Sequence, residues 1–300
     1  MSDRHDRPAV SLQWQRLAGR AFANIDTPFL DTFRAAGPLN RFAAWNPYEP
    51  STRYLLALLY SAARHAPDRF FEAYRALGET SIGAPPSIHY RGLAINADYL
   101  AAVDEFLFLD THGALDHVTR VVEIGAGFGR TCHALLRLAP AIREYIIVDL
   151  PEMLALSRAY LARSLPDRLE HVRFVPHAST GSEITADLSI NIDGFQEMPP
   201  ATIEAYLQSI VSRSPRFYLK NPVGKFDPAR VGLVLDAPQA ADVFELGYCR
   251  QRIDIFDEAA LEAQRHVFVD AYRPEGFSVA ASEPMALLPY YQHVLYHRSG

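Results

Sequence analysis

Glu123, the glycines Gly125, Gly127 and Gly129, and Asp149 have the types and spacing to hold a nucleotide-like cofactor. Glycines set this closely after an apolar run let the backbone turn and approach a ligand. A dinucleotide loop calls for GxGxxG, whose third glycine packs a helix on the strand while the helix start faces pyrophosphate. This chain has GxGxG instead, with Glu123 two residues ahead of the first glycine. A carboxylate there suits an ammonium group, and the N–H groups opening the next helix suit a carboxylate. Asp149 follows Gly125 by 24 positions, close to the roughly 20 at which an acid on the next strand tip meets ribose hydroxyls. S-adenosylmethionine carries all three groups and is the cofactor these positions predict. Ala126, Phe128, Arg130, Thr131, Leu150 and Asn191 complete the expected cofactor surface. Phe128 is expected to cover the methionine moiety, and Arg130 and Thr131 to meet its carboxylate.

Methyl transfer from a sulfonium is an in-line displacement that depends on holding donor and acceptor together, with a base where the acceptor proton is tightly held. Ligands of open α/β sheets sit outside the carboxyl ends of the strands, which selects residues 177–179 and 193–197 as well. Asp193 and Glu197 are the first candidates for a base or for binding an acceptor amine, and Gln196 for orienting a hydroxyl. His177 is a further acid–base candidate, with Ala178 and Ser179 beside it placed to meet an adenine. Tyr48 and Tyr290 are candidate substrate contacts, since aromatic faces stack on sugar rings; Trp45, Arg53 and Tyr291 share that chemistry. His133 and His293 read as packed residues. No Asp-Asp pair or His-x-His cluster supports a metal.

The elements that must position these groups fall into two stretches. Residues 1–115 read as a helical region, from the three-and-four apolar spacing in RYLLALLYSAARH and FFEAYRALG. Breaks are expected at AAWNPYEPS and at SIGAPPSIHYRG, before a connecting helix INADYLAAVDEFLFLDTHG. Over residues 116–300 strands alternate with helices: strands at 119–124, 145–149 and 172–176, in DLSINIDG and in RFYLKNP, helices near 131–138, 152–164 and 200–212. This order predicts a Rossmann-like, mostly parallel sheet with right-handed crossovers. The closing GFSVAASEP and YYQHVLYHR are expected to form an antiparallel edge, as in a class I methyltransferase sheet. Residues 223–250 are left as a lid or a plain connection.

The composition, 49% hydrophobic and 21% charged over 300 residues, fits a well-cored globule. A net charge of −6 disfavours a nucleic-acid substrate, which calls for a basic face. The chain has no apolar run of the roughly 18 residues that a membrane span needs, so no membrane partner and a cytoplasmic location are expected. Cys132 and Cys249 form no CxxC pair and read as packed small residues.

With EIGAGFGR, IIVDLPEM, INIDGFQEMP, FYLKNP and YYQHVLYHR in that order, the chain resembles the bacterial sugar O-methyltransferase family over about residues 75–300. FQEMP and the upstream SIGAPP are its more particular segments, and Asp193-Gly194 departs from the small polar residue expected there. The resemblance implies methyl transfer to a sugar hydroxyl, or to an amine as in aminoglycosides, within natural-product or polysaccharide biosynthesis. A homodimer built through the helical region is compatible with it. Two other classes stay open: an NAD-dependent or nucleotide-sugar oxidoreductase using the same turn, and a non-catalytic cofactor-binding regulatory protein.

Overall fold

The computed structural model describes residues 25–34, 50–179, 184–227 and 244–299. Its N-terminal part has helices α1 (Thr27–Thr32), α2 (Pro50–His65) and α3 (Asp68–Ala76), strands β1 (Ser87–Tyr90) and β2 (Leu93–Asn96), and helix α4 (Ala97–Thr111). The two strands pair antiparallel, a hairpin within a region expected to be mostly helical. They meet in a two-residue turn in which Arg91 and Gly92 both have positive φ, 48° and 74°. Such a turn favours Asn or Asp followed by Gly, so an Arg-Gly pair gave no hairpin signal. Asn96 then caps α4 by accepting from the Tyr99 N–H at 3.1 Å.

The rest alternates as expected. It runs β3 (Arg120–Ile124), α5 (Arg130–Leu138), β4 (Glu144–Asp149), α6 (Pro151–Ser164), β5 (Val172–Pro176), β6 (Leu188–Ile192), α7 (Pro200–Ser209), β7 (Arg216–Pro222), the short β8 (Lys225–Phe226) and β9 (Arg252–Ile253), α8 (Glu258–Ala271), β10 (Phe277–Pro284) and β11 (Tyr291–Arg298). Seven strands form one sheet in the order β10-β11-β7-β6-β3-β4-β5. All neighbours from β7 to β5 are parallel, while β11 runs antiparallel to both β7 and β10. The chain builds outward from β3 in one direction through β4 and β5, then returns to β3's other side with β6. That reversal opens a crevice above the carboxyl ends of β3 and β6, where open α/β sheets bind their ligands.

Alternation along β3 and β4 splits the core. Val121, Tyr145 and Ile147 point to the face covered by α4, α5 and α6, and Leu59, Phe71 and Leu77 of the N-terminal helices belong to the same apolar cluster. Val122, Ile124, Ile146 and Val148 pack on the other face with Ile203 of α7 and Phe268 of α8. Strands apolar on both sides are what a parallel sheet with two covered faces requires. Within 223–250 only the ends are described, and β8 there pairs in parallel with β9, just beyond that stretch; the expectation of a lid or a plain connection falls mainly on residues outside the described ones.

Candidate functional site

The turn after β3 is built by three glycines in the left-handed region, Gly125, Gly127 and Gly129, at φ 77°, 60° and 90°. A side chain at Gly129 would come within 3.1 Å of Leu161 on α6, so its absence lets α5 pack down; one at Gly127 would meet nothing within 4 Å and faces open space. The loop is tied to the strand beside it. Asp149, at the end of β4, accepts from the Gly127 N–H at 2.9 Å and the Leu150 N–H at 2.8 Å. Burial pushes its carboxyl up to about 7 against the opposing pull of those backbone donors. A half-buried acid at a strand tip, over an open glycine, has the donor and acceptor set that a ribose diol would complete. Asp149→Ala is expected to weaken S-adenosylhomocysteine binding, measured by calorimetry, by about 1–3 kcal/mol through loss of charge-assisted hydrogen bonds; equal affinity would remove Asp149 from the site.

Glu123 lies elsewhere than the sequence led one to expect. It is 1% exposed on the α5 side of β3, and its Oε2 accepts from the Tyr145 hydroxyl at 2.8 Å. Alternation on β3 turns this residue inward, so its carboxyl meets Tyr145 and Thr131 instead of an open crevice. Burial pushes it up to about 7 from 4.5. The folded state therefore favours the protonated acid, and the stability this gives is fully present below pH 4.5 and lost as pH rises through about 7. Glu123→Gln, neutral at every pH, is expected to gain stability over the native protein between pH 5 and 8, by on the order of 2–3 kcal/mol at the alkaline end. Urea titrations across that range check it, and parallel pH profiles for both proteins would reject it.

Arg130 and Phe128 are likewise committed inward. The Arg130 guanidinium donates to the Asp98 carbonyl and to Glu105 Oε1, each at 2.9 Å, so it locks the start of α5 to α4. Phe128 is 7% exposed. Its ring lies edge-on to Phe33 and Tyr160 and beneath the Arg34 guanidinium, 5.1 Å from the ring centroid. Thr131 is buried beside them, while Ala126 and Leu150 stay half-buried at the loop.

On the other side of the crevice, the loop after β6 is held by a chain of side-chain amides. Asn191 donates to the Ile124 carbonyl and accepts from the Phe195 N–H and from Asn221. Gln196 donates to the carbonyls of Pro222 and Cys249 and accepts from the Tyr272 hydroxyl. Both amides are buried and engaged with the framework, where they satisfy backbone groups of the loop between β6 and β7.

Asp193 sits at the tip of that loop in the left-handed region, φ 61°, with its N–H donating to the Lys220 carbonyl at 2.9 Å. Its Oδ1 is buried with no hydrogen-bond partner among the described residues. An acidic residue in the left-handed region with a buried, unpartnered acceptor is the kind of position where a ligand group could bind. Tyr290 lies near enough that Asp193's negative charge adds to burial in pushing its phenol up to about 12, and its ring packs on Tyr291. Glu197 is half-buried and on the Lys225 side. Burial pulls Lys225 down to about 8 against the charge of Glu197, and its ammonium donates to the Gln196 carbonyl. Asp193 thus acts electrostatically on Tyr290, and Glu197, in the same loop, on Lys225. His177, half-buried in the turn after β5, is held below its ordinary range by burial, with Ala178 and Ser179 exposed beside it. Tyr48 and Trp45 fall outside the described residues, as does the Arg53 side chain.

Two residues behind this crevice were missed. Lys220, 2% exposed on β7, donates to Glu105 Oε1 at 2.6 Å. Glu105, 1% exposed on α4, is thereby shared with Arg130; burial would raise its carboxyl, but the two cations hold it below the usual range. The signal was present as charges set in largely apolar segments, Lys220 in FYLKNP and Glu105 beside Asp104 in VDEFLFL. Among the described residues no group of His, Cys, Asp and Glu could hold a metal, and no helix is long and apolar enough to cross a membrane.

The order of the seven strands, with an antiparallel strand between the last two parallel ones, defines the class I methyltransferase fold, a Rossmann-like sheet. No protein-family profile matches the chain, and no curated protein is similar to it. Solved structures similar to it include magnesium protoporphyrin IX methyltransferase from Synechocystis PCC 6803, 15% identical over 77% of this chain and 95% of that one, with a TM-score of 0.42. The mitomycin 7-O-methyltransferase MmcR is 15% identical over 68% of this chain and 57% of that one, with a TM-score of 0.41. An O-methyltransferase family protein from Burkholderia thailandensis is 16% identical over 68% and 58%, with a TM-score of 0.44.

Proposed function

We propose that this protein is an S-adenosylmethionine-dependent methyltransferase acting on a sugar or amino-sugar unit of a small metabolite. What carries the proposal is one juxtaposition at the sheet's reversal: the open left-handed glycine loop bound to Asp149 on one side, and Asp193 with its orphaned Oδ1 on the other. Gly127 would leave room for the cofactor, Asp149 would hold its ribose, and the N–H groups opening α5 would take its carboxylate. When bound, that cofactor supplies an electrophilic methyl group.

The chain's own residues then have two tasks. Asp193, fixed by its backbone bond to Lys220, accepts the proton of an attacking hydroxyl at its free Oδ1, or holds an acceptor amine there. Tyr290 beside it offers a phenolic donor and a ring face for a sugar. An orphaned carboxylate oxygen favours a polar acceptor with a donor group over an apolar one, which supports the sugar or amino-sugar class. The oxidoreductase alternative fits less well, because dinucleotide sheets of the doubly wound type carry six parallel strands without the inserted antiparallel one.

Calorimetric titration with S-adenosylhomocysteine and with NAD tests the donor: saturable binding of the first alone supports the proposal, and binding of NAD alone rejects it. A mass-spectrometric screen of glycosides and aminoglycosides for the gain of one methyl group tests the acceptor. Retained cofactor binding with no methylated product across the panel would favour the regulatory alternative.

A further inference from the structure

Away from the glycine loop, α2, α3, α4 and the segment joining β10 to β11 line a half-open cavity of about 650 Å³, the size range of small-molecule sites. Part of its wall is apolar, with Leu58 and Ala62 of α2, Phe70 of α3, Leu107 and Phe108 of α4, and Leu287. On α4 the lining residues recur at Leu100, Asp104, Leu107, Phe108 and Thr111, one stripe of a helix. The neighbouring Glu105 points instead to Arg130 and Lys220. None of the residues 125–129, Asp149 or 193–197 lines the cavity, so it is separate from the proposed cofactor cradle.

The polar groups facing this space are mostly acceptors. His293 Nε2–H donates to Asp104 Oδ2 at 3.0 Å, and the Tyr218 hydroxyl donates to His293 Nδ1 at 2.7 Å. Glu283 Oε1 is bonded to His112 Nε2 at 2.8 Å. His65 Nδ1–H donates to the Ser61 carbonyl at 2.8 Å, since a carbonyl only accepts. Among the described residues the second oxygens of Asp104 and Glu283 accept no hydrogen bond, and Arg69, the lysine- or arginine-type cation among the lining residues described, is turned to Thr111. We propose that this cavity is a second binding site, taking a small protonated amine with an apolar body: the body fills the leucine and phenylalanine walls, and the ammonium meets the free oxygens of Asp104 and Glu283.

The test uses the full chain at pH 7 with 2-phenylethylamine and its uncharged isostere 2-phenylethanol as probes, titrated by calorimetry with and without saturating S-adenosylhomocysteine. One amine is expected to bind per chain, about tenfold tighter than the alcohol, as charge-assisted hydrogen bonds require. Glu283→Gln and Asp104→Asn, which keep an acceptor for each histidine, should narrow that ratio, and Ala62→Trp should abolish binding of both probes by filling the cavity. Equal binding of amine and alcohol, no binding of either to the native protein, or unchanged amine binding in Ala62→Trp would each overturn the proposal. Amine binding that persists where S-adenosylhomocysteine does not bind separates failure of the methyltransferase proposal from failure of this one.

Discussion

Asp193→Asn is expected to lower turnover by roughly 10²–10⁴-fold, the range supplied by a positioned general base, while S-adenosylhomocysteine binds as before. The asparagine is chosen because it tolerates the left-handed backbone at φ 61° and keeps the shape of the side chain. It removes only the ability of Oδ1 to take up a proton, so a folding defect is not expected to confuse the outcome. Should the acceptor be an amine that arrives neutral, the same variant would raise KM far more than it lowers kcat, since the carboxylate would then bind and not deprotonate. Native turnover and native KM together would exclude Asp193. Glu197→Gln serves as the comparison: on the Lys225 side of the loop, it is expected to change turnover much less than Asp193→Asn.

Glu105→Ala is expected to destabilise the fold by about 3–5 kcal/mol, because it leaves two buried cations, Arg130 and Lys220, without their shared counter-ion. Both lie within 2.9 Å of the same Oε1, so a single truncation removes the counter-ion of both cations. Urea unfolding measures the loss directly, and a change under about 1 kcal/mol would contradict a buried triad. Replacing the three residues together by Leu, Leu and Met is expected to recover much of the loss, as removing every charge also removes the desolvation penalty. Since Arg130 is the first residue of α5 after Gly129, any Glu105 variant that still folds should also bind S-adenosylhomocysteine more weakly than the triple replacement.

Much of this protein is legible in its residues taken in order. The apolar runs ending in EIGAGFGR, IIVD and INID mark strands of a covered parallel sheet, and their spacing from amphipathic helices dictates the alternating fold. Gly127 and Gly129 are glycine for reasons visible locally, since a left-handed turn and a close helix need no knowledge of distant residues. Asp149 follows from the same local logic: an acid at the next strand tip necessarily lies beside the first loop. The hairpin of β1 and β2 escaped because Arg91 carries no turn preference, and its pairing is only visible across strands.

What the sequence determined by itself is the sheet, the loop and the acid beside it, because each depends on neighbours within one βαβ unit. Only the tertiary structure decided which charged residues are free. Glu123, Arg130, Asn191 and Gln196 carry functional-looking chemistry, yet partners as far off as Tyr145, Glu105, Asn221 and Tyr272 consume it. Asp193 differs from them by what its Oδ1 lacks. A hydrogen-bond inventory depends on which segments the fold brings into contact, and buried polar groups are forced to pair wherever a partner exists. The acid left unpaired at the sheet's reversal is therefore a fact of three dimensions, and it is there that the chemistry is proposed to occur.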